Sequence, residues 1–450
     1  TAVGFRSLSK TANVGNTATG AFSARNVSTG FWNTVNGAVA LENATTAAQN
    51  TAIGVSSFRS NISSNDNVGV GMNTGYNVTS ANNTYLGAFA GEGAAGFSTG
   101  SSNTGTGYFA LSDIRSGTFN TAVGRQALTA DTSGSYNVAV GGNALINNLA
   151  SDFNTGVGYN TLLLHKRAGF TYNTAVGSFA LEQDSSGFQN TGLGTSAFRN
   201  NKTGFYNTGV GINAGYYQKE SYNTFVGGYA GFGDRPLSLN YAADTGNYNV
   251  GMGVYSMYRI ANGSNNIAIG YSAMYSDSSG NLNTAVGNGA LYSNTQSHTN
   301  QAFGWNALYS YAGTTDGWNN AFGDRAAEDL VTGTQNVAMG SWSMLGHTSG
   351  NLNTVIGNWA MGNGGTTGTS NTALGAFALW RTNADGNVGI GLNAGQTNTT
   401  GTNNTLLGTF ADVTTAGLTN ATAIGYNATV SQSNSLVLGQ FGTNVGSSTT

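Results

Sequence analysis

The sequence predicts an all-β protein, a parallel β-solenoid of about 26 coils with a 17-residue repeat. Three observations predict it. A phrase typified by Asn120-Thr121-Ala122-Val123-Gly124 returns as Asn137-Val138-Ala139-Val140-Gly141 and closes on twenty-six glycines from Gly4 to Gly439, mostly seventeen apart. A fixed period this short marks a repeat architecture. The residue before the glycine is apolar almost everywhere, as in Ile53, Val123, Leu193, Phe303 and Met339, with Thr19, Asn36 and Thr106 as exceptions. Gly is abundant (69) and Pro nearly absent (1), which suits tight corners joined by hydrogen-bonded strands.

Each element of the repeat follows from what its place demands. Four or five residues with β-branched side chains in alternate places, closed by Gly, read as a short strand. A helix does not fit between glycines this frequent. After the anchor, Gly-x-x-Ala-Leu (124–128, 177–181, 287–291) predicts a second short apolar strand, and a polar turn such as 130–136 returns the chain. One such unit cannot bury its own apolar face; stacked units share a continuous core. The chain is therefore read as one continuous domain over residues 1–450. It enters the repeat partway at Thr1, which predicts a segment of a longer fibre protein.

Asn heads the phrase in nearly every coil from Asn16 to Asn404, with Ala421 and Ser435 departing at the end. Asn tolerates the left-handed backbone and bonds its own turn. Its amide can also donate and accept along a stack. Asn120, Asn137, Asn154, Asn173, Asn190 and Asn207 are accordingly predicted to form a structural ladder. Alternation places Thr and Val of the phrase on one side of the strand and Ala on the other. With both sides small or apolar, one is expected to face the coil interior and the other a partner chain. The expectation is a homotrimer with the Ala side, Ala139 and Ala285 included, near the neighbouring chain.

Composition excludes several classes. Only 7% of residues are charged and the net charge is −3, against roughly 25% charged in an ordinary domain. No basic segment suggests nucleic acid, no apolar run spans a bilayer, and without Cys there is neither a disulfide framework nor a thiol site. His165, His298 and His347 lack metal-ligand spacing and read as surface residues. Asp324, Glu328 and Asp329, the densest acidic group, read as a solvated turn. No catalytic, metal or cofactor residue is predicted. The sequons at Asn43 and Asn61 follow from composition.

Irregularities carry further information. Segments 67–76, 207–216 and 387–396 each precede a phrase with a bulky residue in the small place: Tyr85, Phe225 and Leu406. Insertions fall at 162–169 and 309–318, and the largest, nine residues around 232–246, holds the only proline. Insertions in solenoids map to outside loops. Asp234, Arg235 and Tyr241 are the candidate recognition loop, because they bring charge and aromaticity that the repeat surface lacks.

NTAVGRQAL (120–128), NVAVGGNAL (137–145), NTAVGNGAL (283–291) and the closing NATAIGYNATVSQSNSLVLG (420–439) resemble the head repeats of trimeric autotransporter adhesins. They are still more similar to repeats of bacterial and phage tail-fibre-domain proteins. The resemblance covers essentially the whole chain. It implies a non-enzymatic, extracellular or virion-borne fibre or adhesin shaft, homotrimeric and extended end to end, attaching to a cell-surface glycan or protein. Two alternatives are an ice- or surface-binding solenoid and a phage tail fibre with carbohydrate-degrading activity. Ice binding calls for an exposed rank of Thr, whereas Thr shares its side with Val and is expected to turn inward; no clustered acid pair supports the second.

Overall fold

The computed structural model describes residues 1–10, 14–93, 98–233, 246–363 and 367–440. Among these there is no helix, and the fold is the expected parallel β-solenoid with a repeat of about seventeen residues. Contacts divide the chain into two compact units, Thr1–Tyr222 and Asn223–Thr450. The first carries thirteen strands of the repeat, from Ala2–Val3 to Thr208–Val210; the second carries thirteen more, from Thr224–Val226 to Leu436–Leu438. Strands pair without stagger: Thr121 lies beside Val138, Val138 beside Thr155, and Thr155 beside Thr174. In the second unit Val250, Ile267 and Thr284 align in the same way.

The coil from Asn120 shows how the residues set the path. Asn120 and Ala122 point inward and are buried, while Thr121 and Val123 point outward. This reverses the expected sidedness. Ala139 and Ala285 are fully buried in the protein's own core and do not line a neighbouring chain. Gly124 then turns the corner with φ +137°, and a Cβ there would lie 2.5 Å from the carbonyl oxygen of Gly141 in the next coil. Only glycine meets both demands, which explains why the anchor never varies.

The apolar segment after the corner is not a strand. Gln126 and Leu128 have left-handed φ of 58° and 51°, and the same two places are left-handed in most coils. The backbone still bonds along the stack: the Gln126 N–H donates to Tyr108 O in the preceding coil, and the Leu128 N–H donates to Ala144 O in the following one. A left-handed non-glycine residue costs about 1–2 kcal/mol, offset here by the burial of Leu128 and by paired backbone groups. The residue before Asn, such as Tyr136 (φ 60°), is left-handed too; Asn137 itself is not. The left-handed role expected of Asn thus belongs to its neighbour.

Core volume is conserved from coil to coil. Phe58 and Phe198 stand where Leu is usual, and glycines yield beside them: a Cβ on Gly69 would come 2.6 Å from the Phe58 ring, and one on Gly209 2.7 Å from Phe198. Tyr85 and Phe225 then fill the small place, and Gly91 and Gly231 yield in turn, with Cβ positions 2.4 and 2.2 Å from those rings. In the third segment Leu379 keeps the usual side chain, and Cβ positions on Gly389 and Gly395 would lie 2.7 and 2.6 Å from it, with Leu406 2.9 Å from the latter. Close-packed interiors require such compensation. Segments 67–76 and 207–216 are therefore one packing device used twice, and 387–396 shares its pair of glycines.

Of the smaller insertions, 162–169 is only partly an outside loop. Leu162 and His165 are buried, Lys166 and Arg167 are exposed, and Gly169–Phe170 pairs in parallel with Ser151–Asp152. In 309–318, Tyr311 is buried and Asp316 bridges to His298.

Candidate functional site

The Asn column is a coil-to-coil lock. Oδ1 of Asn120 accepts from the Asn137 N–H at 3.0 Å, while its Nδ2 donates to Gly134 O at 2.7 Å. Asn137 repeats this with the Asn154 N–H (2.9 Å) and Ser151 O (2.7 Å). Asn154 accepts from Asn173, Asn173 from Asn190 and Asn190 from Asn207, each at 3.0 Å. All six expected ladder residues are buried. The ladder runs chiefly from amide to backbone; amide-to-amide contacts such as Asn33 Nδ2 to Asn16 Oδ1 (3.0 Å) are additions. It ends at Ala421, whose N–H donates to Asn404 Oδ1 at 2.8 Å but which has no side-chain amide to continue the ladder.

Eleven residues after Asn lies a second buried polar column, which the sequence reading missed. Asp131, Asp184 and Asp277 each accept from a glycine N–H three residues on, at 2.7 Å, and so cap the return turn. Burial pushes the Asp131 carboxyl well up and lifts that of Asp277 to about 7. His165 and His347, expected on the surface, are fully buried in this column. His165 Nδ1 lies 3.3 Å from Asp184 Oδ1, both closed off from solvent, and burial lowers His347 to about 4. Apolar Ile114, Ile260 and Leu330 occupy the same place in other coils, so its shared property is burial.

Asp324, Glu328 and Asp329 do not form a free solvated turn. Asp324 accepts from Trp342 Nε1 at 3.2 Å, Glu328 accepts from Asn306 at 3.0 Å and pairs with Arg325 at 3.6 Å, and Asp329 accepts from the Gly346 N–H at 3.0 Å. Among the described residues no group of three or more His, Cys, Asp or Glu is placed to hold a metal. No helix there is long and apolar enough to cross a membrane. Of the sequons, Asn43 is exposed, whereas Asn61 is buried with its amide bonded to Ser64 at 2.9 and 3.0 Å. Asp234, Arg235 and Tyr241 lie outside the described residues.

The surface feature that the fold creates is the outer face of the strands. It has two ranks, and neither contains a charged residue in any coil. In the first unit the first rank is Thr in every strand from Thr17 to Thr208 except Val68 and Val138, and the second is mostly Val, Ile or Leu. In the second unit the second rank turns bulkier, with Met252, Met339 and the stacked pair Phe303–Phe322 at 4.8 Å. Rings border the face: Phe119, Tyr136, Phe153 and Tyr172 stack at 5.1, 4.9 and 5.1 Å. Most of the large apolar side chains that are exposed belong to this face or its two borders. A hollow of about 360 Å³ lies between the last coils, lined in part by Val430, Gln432, Leu436 and Val437.

No family model matches the chain, and no curated protein is similar to it.

Proposed function

We propose that the protein is a non-enzymatic structural fibre of the cell exterior or of a virion, an adhesin shaft that provides reach and rigidity and attaches to a surface or glycan. The observation that carries this reading is the Asn lock, which joins coil to coil by paired buried hydrogen bonds and devotes the interior to stacking. The likeness of the repeat to tail-fibre-domain proteins and trimeric adhesin heads supports it. The shaft is a homotrimer whose copies meet through the outer face of the second unit, where Met252, Phe303, Phe322 and Met339 provide side chains of the kinds enriched in protein interfaces. An uncharged apolar face of this extent marks an interaction surface. Recognition then falls to insertions that interrupt the repeat, with Asp234, Arg235 and Tyr241 the first to test.

Electron microscopy of native material, with antibodies to this chain, tests the reading. Labelled filaments on intact cells or virions are expected. Label confined to the cell interior overturns it. Light scattering tests the assembly: Phe303→Asp with Phe322→Asp is expected to convert trimer to monomer without loss of β-structure, and a monomeric wild-type protein refutes the trimer.

A further inference from the structure

We infer that the outer face of the first unit binds ice, its Thr and Val ranks holding water in a crystalline array. This goes beyond the fibre reading and does not rest on it. The inward orientation expected for Thr counted against ice, but the folded chain turns Thr outward in the first unit from Thr17 to Thr208.

The stretch Thr121–Val210 shows the arrangement most cleanly. Its first rank reads Thr121, Val138, Thr155, Thr174, Thr191 and Thr208; its second reads Val123, Val140, Val157, Val176, Leu193 and Val210. Every residue lies beside its counterpart in the next coil, with no stagger. The face is thus a lattice with about 4.8 Å between coils and about 6.6 Å between ranks.

Chemistry and pattern agree. Strand propensity alone explains β-branched residues here, but a solvated strand face also admits Lys, Glu, Arg and Gln, none of which occurs in these twelve places. Thr hydroxyls hold water at fixed points, and the flanking methyls order the water around them. The side chains are β-branched almost throughout and stiff at χ1, so little freedom is lost on adsorption. A protein partner fits less well, because Thr and Val are under-represented among the residues that anchor protein interfaces. The second unit, with Met and Phe on the outward side of its own strands, makes the contrast within one chain.

The test is adsorption of the full chain to a growing ice surface, with thermal hysteresis and crystal shape read under the microscope. The wild-type protein is expected to enter the ice and facet the crystals. Thr174→Tyr with Thr191→Tyr is expected to lose both effects, and so is Thr174→Lys with Thr191→Lys. Circular dichroism and the melting midpoint should be unchanged in both variants, because the side chains point outward. Phe303→Asp with Phe322→Asp, in the other unit, should retain adsorption. Absence of adsorption by the wild-type chain overturns the inference, as does full adsorption by either folded Thr variant. Neither result bears on whether the native protein forms fibres, which microscopy decides.

Discussion

Replacing Asn120 by Ala removes one rung of the lock and nothing else of comparable size. The Asn137 N–H loses its acceptor at 3.0 Å, and Gly134 O loses the amide donor at 2.7 Å. Both groups lie within the buried stack, since Asn120 and Asn137 are at most 1% exposed. An unmade buried hydrogen bond costs about 1–3 kcal/mol per group, so the substitution should destabilise the first unit by about 2–6 kcal/mol. The loss acts between neighbouring coils, as in other repeat stacks. It should therefore appear both as a lower unfolding midpoint and as faster hydrogen exchange at Asn137. Asn120→Asp sharpens the test. Its carboxylate still accepts from Asn137 but faces the Gly134 carbonyl without a proton to donate. Burial raises such a carboxyl, so the folded pKa lies above the unfolded value. Stability is then present at low pH and lost as pH rises through the folded pKa. The Asp variant should approach the wild type near pH 4 and fall toward the Ala variant near pH 8. An unchanged midpoint and a protected Asn137 amide in Asn120→Ala would mean that Asn serves only as a polar turn residue.

Three further substitutions probe other parts of the stack. Ala139→Arg places an unpaired charge in the coil's own core and should cost about 3–5 kcal/mol or more, read as loss of β-structure at every protein concentration; a folded variant deficient only in assembly would put Ala139 at a chain interface after all. Asp277, lifted from its usual 3.8 to about 7 by burial, contributes stability that is full below about pH 3.8 and lost as pH rises through about 7. Asp277→Asn should flatten the dependence of the melting midpoint on pH between 4 and 8, and an unaltered slope would show that another group carries it. Gly209→Ala should cost about 1–3 kcal/mol by overpacking against Phe198, and Phe198→Leu should recover part of that loss, since Leu stands opposite Ala in most coils. A double-mutant cycle with no coupling would separate the two sites.

The repeat length, the all-β class and the glycine corners were legible because each answers a local demand. A glycine that no other residue replaces in twenty-six coils points to a backbone that excludes Cβ, and the close approach of Gly124 to Gly141 supplies the reason. The Asn lock was legible in the same way, because a repeated polar residue at a strand start has to satisfy its amide. The paired irregularities at Gly69, Phe58 and Tyr85 were visible as a pattern, but their meaning as exchanged core volume required residues of successive coils, such as Gly69 and Phe58, to be seen together.

What tertiary structure alone decided is which side of each strand faces inward. Alternation sorts Thr121 and Val123 from Ala122 without saying which pair the coil encloses, and both sides are free of charge. One signal was available: Asn120 and Ala122 share a side, so an Asn buried in the stack carries Ala inward with it. The direction in which the chain turns after Gly124 settles the matter, through left-handed residues at Gln126 and Leu128 that no propensity anticipates. Their strain is supported by hydrogen bonds to the coils above and below, which exist only once the stack has formed. The same nonlocal closure buries His165 and Asp184, residues whose local sequence reads as a solvent-facing turn. A single coil specifies its corners and its lock, whereas the identity of the exposed face belongs to the assembled stack.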